Sequence, residues 1–151
     1  MSARNAGWDW WNSSGAQDNW AESINGIMSF SIENVFPFEV TEASQPRVEN
    51  NSKSFLNRFH FCNFNDGSDS SNLKEFKNAV DSTVWSDTYW NVLLNPMFDT
   101  DPRSDFVWLD LWADQSDKDS ALGKFMDSEY ANMYVDSFTC TTADFSGVVI
   151  R

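Results

Sequence analysis

The sequence predicts an α+β fold, one antiparallel sheet with helices laid on a single face. Three observations predict it. Between residues 55 and 151, alternating and helical hydrophobic patterns follow one another in the order β-α-β-β-α-β. Clusters of Asn, Asp, Gly, Pro and Ser separate the patterned segments. The clearest strand, Phe106-Val-Trp-Leu-Asp-Leu-Trp-Ala113, has two unlike faces. Phe106, Trp108, Asp110 and Trp112 fall on one side, and Val107, Leu109, Leu111 and Ala113 on the other. The aliphatic side is expected beneath the helices, leaving a tryptophan shelf with one carboxylate on an open face.

Composition bounds what such a fold can do. The 151 residues suffice for one good core, or for a domain with an appendage. Aromatic residues make up 16% of the chain, with 8 Trp and 13 Phe, which argues against global disorder. The net charge of -13 makes nucleic acid and anionic membrane poor partners, because both demand Lys and Arg in excess. No apolar run approaches a membrane span, and the opening Met-Ser-Ala-Arg-Asn-Ala-Gly-Trp lacks the apolar stretch of a signal peptide. A soluble, cytoplasmic protein is therefore expected from the sequence as it stands, with export of a longer parent chain left open.

The N-terminal elements come first. Trp8-Asp-Trp-Trp-Asn12 reads as a strand, and Ser13-Ser-Gly15 breaks it. Ala16, Trp20, Ile24 and Ile27 have helical spacing, with Gly26 marking the helix end. Phe30 to Val40 is strand-like again, with Phe36-Pro37-Phe38 as a kink or edge position. Residues 1–43 thus form a partial strand-helix-strand unit, and the polar stretch 44–54 reads as a linker.

Residues 55–151 form the complete unit. Phe55 to Phe64 is its first strand, and Asn65-Asp-Gly67-Ser a turn. A helix from about Leu73 to Val84 carries Leu73, Phe76, Val80 and Val84 on one stripe, with Asn72 as N-cap and Glu75 three residues later. Tyr89 to Phe98 is the second strand, and Asp99-Thr-Asp-Pro102-Arg a hairpin connection. After the third strand, Ser116 or Asp117 caps a helix bearing Leu122, Phe125 and Met126. A further helical turn or two carries Met133 and Phe138, and Thr141 to Ile150 closes as the fourth strand. The order is ferredoxin-like, with strands arranged 4-1-3-2 and one face open unless something covers it.

An internal repeat is also expected. Trp8-Asp-Trp-Trp11 parallels Leu109-Asp-Leu-Trp112, and each is followed by a turn, a helix and a strand, so the first 43 residues read as half of an earlier copy. With the motifs Tyr89-Trp-Asn-Val-Leu-Leu-Asn-Pro96, Asp105-Phe-Val-Trp-Leu-Asp-Leu-Trp112 and Gly123-Lys-Phe-Met-Asp127, the chain resembles the dimeric α/β-barrel superfamily, and within it uncharacterised tandem-repeat proteins of marine bacteria. The resemblance covers about two thirds of the chain strongly. It implies two sheets packed open face to open face, hence a homo-oligomer or a self-covering pseudo-dimer. It transfers no catalytic signature, because the superfamily includes monooxygenases, cyclases, haem enzymes and plain binders.

Candidate chemistry sits on the first and third strands. Phe59 and Phe61 share one face, so Arg58, His60, Cys62 and Phe64 share the other. With the strands adjacent, His60 and Asp110 become a candidate acid-base pair, and Arg58, Trp108, Trp112 and Phe64 candidate ligand-binding residues. The competing reading is a structural histidine, with Arg58 paired to Asp110 or to another acid. Cys62 and Cys140 fall on strands expected to be antiparallel neighbours and are candidates for a disulfide, the compartment deciding whether it forms. Asn63-Phe-Asn-Asp-Gly-Ser-Asp69 lacks the glycine and glutamate positions of a calcium loop, so no metal site is assigned. No motif selects a cofactor or decides whether the protein is an enzyme. The leading expectation is a small organic ligand held in an aromatic-lined cavity between open sheet faces. An assembly module whose aromatic face another chain fills, and a carbohydrate-binding module with an exposed tryptophan platform, are the alternatives.

Overall fold

The computed structural model describes residues 3–27, 36–99 and 103–148, in two compact units, Met1–Phe36 and Pro37–Arg151. The first unit holds two helices, α1 (Ala3–Ser13) and α2 (Ala16–Ile24). Gly15, at φ 75°, supplies the left-handed turn between them. Here the expected strand at Trp8–Asn12 is corrected to helix. Its tryptophans fit either period over so short a run, and the helical one sets Trp11 edge-on to Trp20 at 6.0 Å. The proposed half-repeat therefore fails at its first element. Of the expected strand Phe30 to Val40, residues 30–35 lie outside the described residues.

From Pro37 onward the chain belongs to the second unit, so the boundary falls after Phe36 rather than after residue 43. The elements of this unit are β1 (Phe38–Ala43), β2 (Ser54–Phe64), α3 (Ser70–Asp81), β3 (Trp90–Pro96), β4 (Phe106–Trp112), α4 (Gln115–Met126), α5 (Glu129–Ser137) and β5 (Phe138–Val148). The five strands form one antiparallel sheet in the order β1-β3-β4-β2-β5. The starts of α3 and α4 are set by aspartates. Asp69 caps α3, accepting from Ser71 N at 2.7 Å, while Asn72 reaches back to the Asp69 amide at 3.0 Å. Asn72 is thus the third helical residue, not the cap. Asp114, not Ser116 or Asp117, caps α4 through the Asp117 amide at 2.9 Å. Phe138 opens β5 instead of closing a helix. Residues 100–102 of the expected hairpin connection and 149–150 of the expected last strand lie outside the described residues. No helix among the described residues is long and apolar enough to cross a membrane.

Two apolar clusters line the two sides of the sheet. One joins Phe106, Trp108 and Trp112 of β4 and Cys62 of β2 to Leu73, Phe76 and Val80 of α3, Ala121 of α4 and Phe138, with Phe125, Tyr130 and Tyr134 packed against it. The other consists of strand residues: Val92, Leu94, Val107 and Leu111, with Phe38, Phe55, Phe59, Phe61, Trp90 and Leu109. The face expected to be open is therefore the helix-covered one. The helices bring rings, and rings of α3, α4 and α5 interlock with the indoles: Phe76 lies 5.3 Å from Trp108, and Phe125 5.7 Å from Trp85. His60, Asp110 and Trp108 tolerate burial there because each is hydrogen-bonded, whereas the buried Trp112 indole N–H on the same face is left without a partner among the described residues.

Candidate functional site

The helix-covered face keeps a pocket of about 350 Å³ between β2, β4 and β5 below and α3, α4 and α5 above. Its walls are aromatic, formed by Phe76, Trp85, Trp108, Trp112, Phe125 and Tyr134. The floor is polar. His60 on β2 and Asp110 on β4 come from strands that pair Arg58 with Asp110 and His60 with Trp108, which sets their side chains on one face, diagonal to each other. His60 Nε2 lies 3.0 Å from Asp110 Oδ2, and the two side chains are 13% and 11% exposed.

Asp110 gathers donors. Its Oδ1 accepts from the Tyr89 hydroxyl and from the Trp108 indole N–H, each at 2.7 Å. With the carboxylate as acceptor, Nε2 of His60 carries the imidazole proton, and Nδ1 accepts from the Tyr134 hydroxyl at 3.0 Å. Tyr134, Asp110, His60, Tyr89 and Trp108 thus form one connected network. Burial, then the charge of Asp110, raises the Tyr134 pKa to about 12 and lifts that of Tyr89 well above its ordinary value. Both hydroxyls keep their protons at neutral pH.

A second polar group stands beside the first. Arg58 and Asp144 are register partners on β2 and β5, joined by two parallel bonds of 2.7 and 2.8 Å. Lys118 of α4 adds its ammonium 3.1 Å from Asp144 Oδ2 and lies 5.5 Å from the centre of the Trp112 ring. The hydrogen bonds from Arg58, with that of Lys118, hold Asp144 well below the usual carboxylate range, and Asp144 in turn raises Arg58.

Of the residues singled out from sequence, Arg58, His60, Trp108, Asp110 and Trp112 all line this pocket. Phe64 does not; it packs on Phe106 at 5.3 Å and Phe138 at 6.0 Å. Arg58 takes Asp144, not Asp110, as its ion-pair partner. Cys62 and Cys140 are directly opposed on β2 and β5 and form a disulfide, with Cys140 at the pocket wall. Trp108 and Trp112 are 4% and 2% exposed, so they form no open platform for a sugar. Tyr89, Tyr134, Asp144 and Lys118 escaped sequence reading. For Tyr134 a signal existed in its spacing from Tyr130, one helical turn earlier on α5. Asp144 and Lys118 had none until β5 and α4 were placed over Arg58.

Comparison with protein-family models, curated proteins and solved structures finds no match to this chain.

Proposed function

We propose that the protein binds a small organic ligand in the pocket between its helix layer and its sheet, with His60 and Asp110 as an acid-base pair at the floor. The observation that carries this reading is the combination of an aromatic-walled space of about 350 Å³ with a hydrogen-bonded His-Asp pair at its base. That volume lies at the lower end of ligand pockets, about 300–1,000 Å³. In this role His60 takes a proton at Nδ1, and Asp110 holds the ring and stabilises the imidazolium. The test is a screen of neutral aromatic fragments followed by amide and indole NMR shifts. Ligands are expected to move the Trp108 and Trp112 indole signals, and an Ala131→Trp variant, which fills the space, is expected to lose them. Binding that survives the filling substitution overturns the reading.

The strand order β3-β4-β2-β5, with α3 after β2 and α4 after β4, supports reading residues 54–148 as a ferredoxin-like unit with β1 added at its edge. On that basis we keep kinship with the dimeric α/β-barrel superfamily as a proposal.

A second reading, an assembly surface for another copy of this chain, is favoured by the opposite sheet face. That face is a strand-only cluster including Phe55, Phe59, Phe61 and Leu109, and on it Phe145 packs against Phe59 while remaining 57% exposed. Light scattering that finds a monomer at high concentration overturns it. The disulfide supports an oxidising compartment as the site of action.

A further inference from the structure

Resting on the pocket reading above, we infer that the ligand is an aromatic carboxylate whose carboxylate seats on the open edge of the Arg58 guanidinium. Arg58 lines the pocket, and its partner Asp144 does not. A guanidinium carries five N–H groups on a planar fork. Asp144 takes one edge of that fork, with bonds from Nε at 2.7 Å and Nη2 at 2.8 Å. The Nη1–Nη2 edge keeps a parallel pair of N–H groups with no acceptor among the described residues. Such a pair matches the two oxygens of a second carboxylate, whereas a lone hydroxyl or carbonyl oxygen fills half of it.

Charge and burial point to the same end of the pocket. Arg58 and Lys118 share the one carboxylate of Asp144, so the three together carry one excess positive charge. Trp112 stands diagonal to Arg58 across the β2–β4 ladder, on the same face. Its side chain lines the pocket, and its indole N–H is buried with no partner among the described residues. An unmet buried donor is costly, so an acceptor is what this space most lacks. Tyr134 and Thr142 also line it, but Tyr134 already donates to His60 and Thr142 is exposed to water. The opposing charge is Asp110, the register partner of Arg58, and its oxygens already hold three donors. The Arg58 side chain is 25% exposed, so a carboxylate on it keeps part of its water and loses little solvation. The ligand ring then lies among Phe76, Trp85 and Phe125, which suit it through edge and face contacts. A net charge of -13 repels anions at a distance, so recognition falls to these contacts and not to steering.

The experiment is calorimetric titration of the intact, disulfide-bonded protein with 2-naphthoate, its neutral isostere 2-naphthamide, and the cation 2-naphthylmethylammonium. Naphthoate is expected to bind at least about tenfold more tightly than the amide, as for a charge-assisted pair over a neutral hydrogen bond. The ammonium is expected to bind least. Arg58→Met is expected to bring naphthoate and naphthamide within about twofold. In the wild type, naphthoate is also expected to shield Arg58 from phenylglyoxal, read by peptide mass, so the test holds even if the variant fails to fold. Four results each overturn this inference: equal binding of naphthoate and naphthamide, a preference for the ammonium, a gap that survives Arg58→Met, or an unshielded Arg58. In each of those cases, binding that Ala131→Trp abolishes leaves the pocket reading standing. Failure of all three compounds to bind overturns the pocket reading and this inference with it.

Discussion

Cys62 and Cys140 stand directly opposite each other on β2 and β5, their α-carbons 4.1 Å apart and their sulfurs bonded, although 78 positions separate them in the chain. A crosslink closing so long a loop removes much of the freedom of the unfolded chain. By the chain-entropy relation it contributes roughly 4–5 kcal/mol. Urea unfolding with and without reductant is expected to show a loss of that order, and a Cys62→Ala/Cys140→Ala variant the same loss without further response to reductant. A shift close to zero would show that the bond is not formed in solution.

Asp110 holds three donors in a place with little water. Asp110→Ala leaves Tyr89, Trp108 and His60 each short of an acceptor and is expected to cost about 3 kcal/mol. Asp110→Asn retains an acceptor oxygen and is expected to cost less. Denaturant midpoints of the two variants decide the order, and equal costs would mean that the carboxylate is not the hub of the network.

The two faces of β4 make a paired prediction. Trp108 is packed under α3 at 4% exposure, whereas its neighbour Leu109 is only half-buried on the strand-only face. Trp108→Ala is expected to cost about 3–5 kcal/mol. Leu109→Ala is expected to cost under about 2 kcal/mol, because partial burial returns only part of the transfer free energy. The reverse order would place the helices on the other side of the sheet.

Asp144 makes stability depend on acid. Its folded-state pKa is depressed, so its contribution is complete above the unfolded value, about pH 4, and declines as pH falls below that. The side chain is half exposed, which limits the contribution to about 1 kcal/mol. Asp144→Asn is therefore expected to lower stability by that amount at pH 7 and by progressively less below pH 4. A gap that widens in acid would contradict the Arg58–Asp144–Lys118 grouping.

Much of this was legible in the sequence. Alternation in β2 and β4 sorted Arg58, His60 and Cys62 from Phe59 and Phe61, and Trp108, Asp110 and Trp112 from Val107, Leu109 and Leu111. Strand adjacency then brought the candidate site and the cysteines together. Which face the helices take was not legible from polarity. It follows from the handedness of the crossovers and from rings on α3, α4 and α5 that pack better on tryptophan than on valine. The stretch Trp8–Trp11 misled because few residues cannot separate a period of 2 from one of 3.6. The spacing of Tyr134 from Tyr130 sets the two on one helix face, but the role of Tyr134 depends on how α5 is rotated over His60, which the sequence does not give.

The ladder between β2 and β5 has a consequence for how the chain reaches its native state. It is the longest pairing in the sheet, eleven register partners, and it joins segments far apart in the sequence. Local hairpins reward the chain quickly, but this pairing waits until nearly the whole polypeptide is available. Such topologies fold on millisecond-to-second scales rather than in microseconds. Throughout that interval one edge of β2, with Phe55, Phe59, Phe61 and Phe64, stands without a neighbour and is the segment most open to wrong intermolecular pairing.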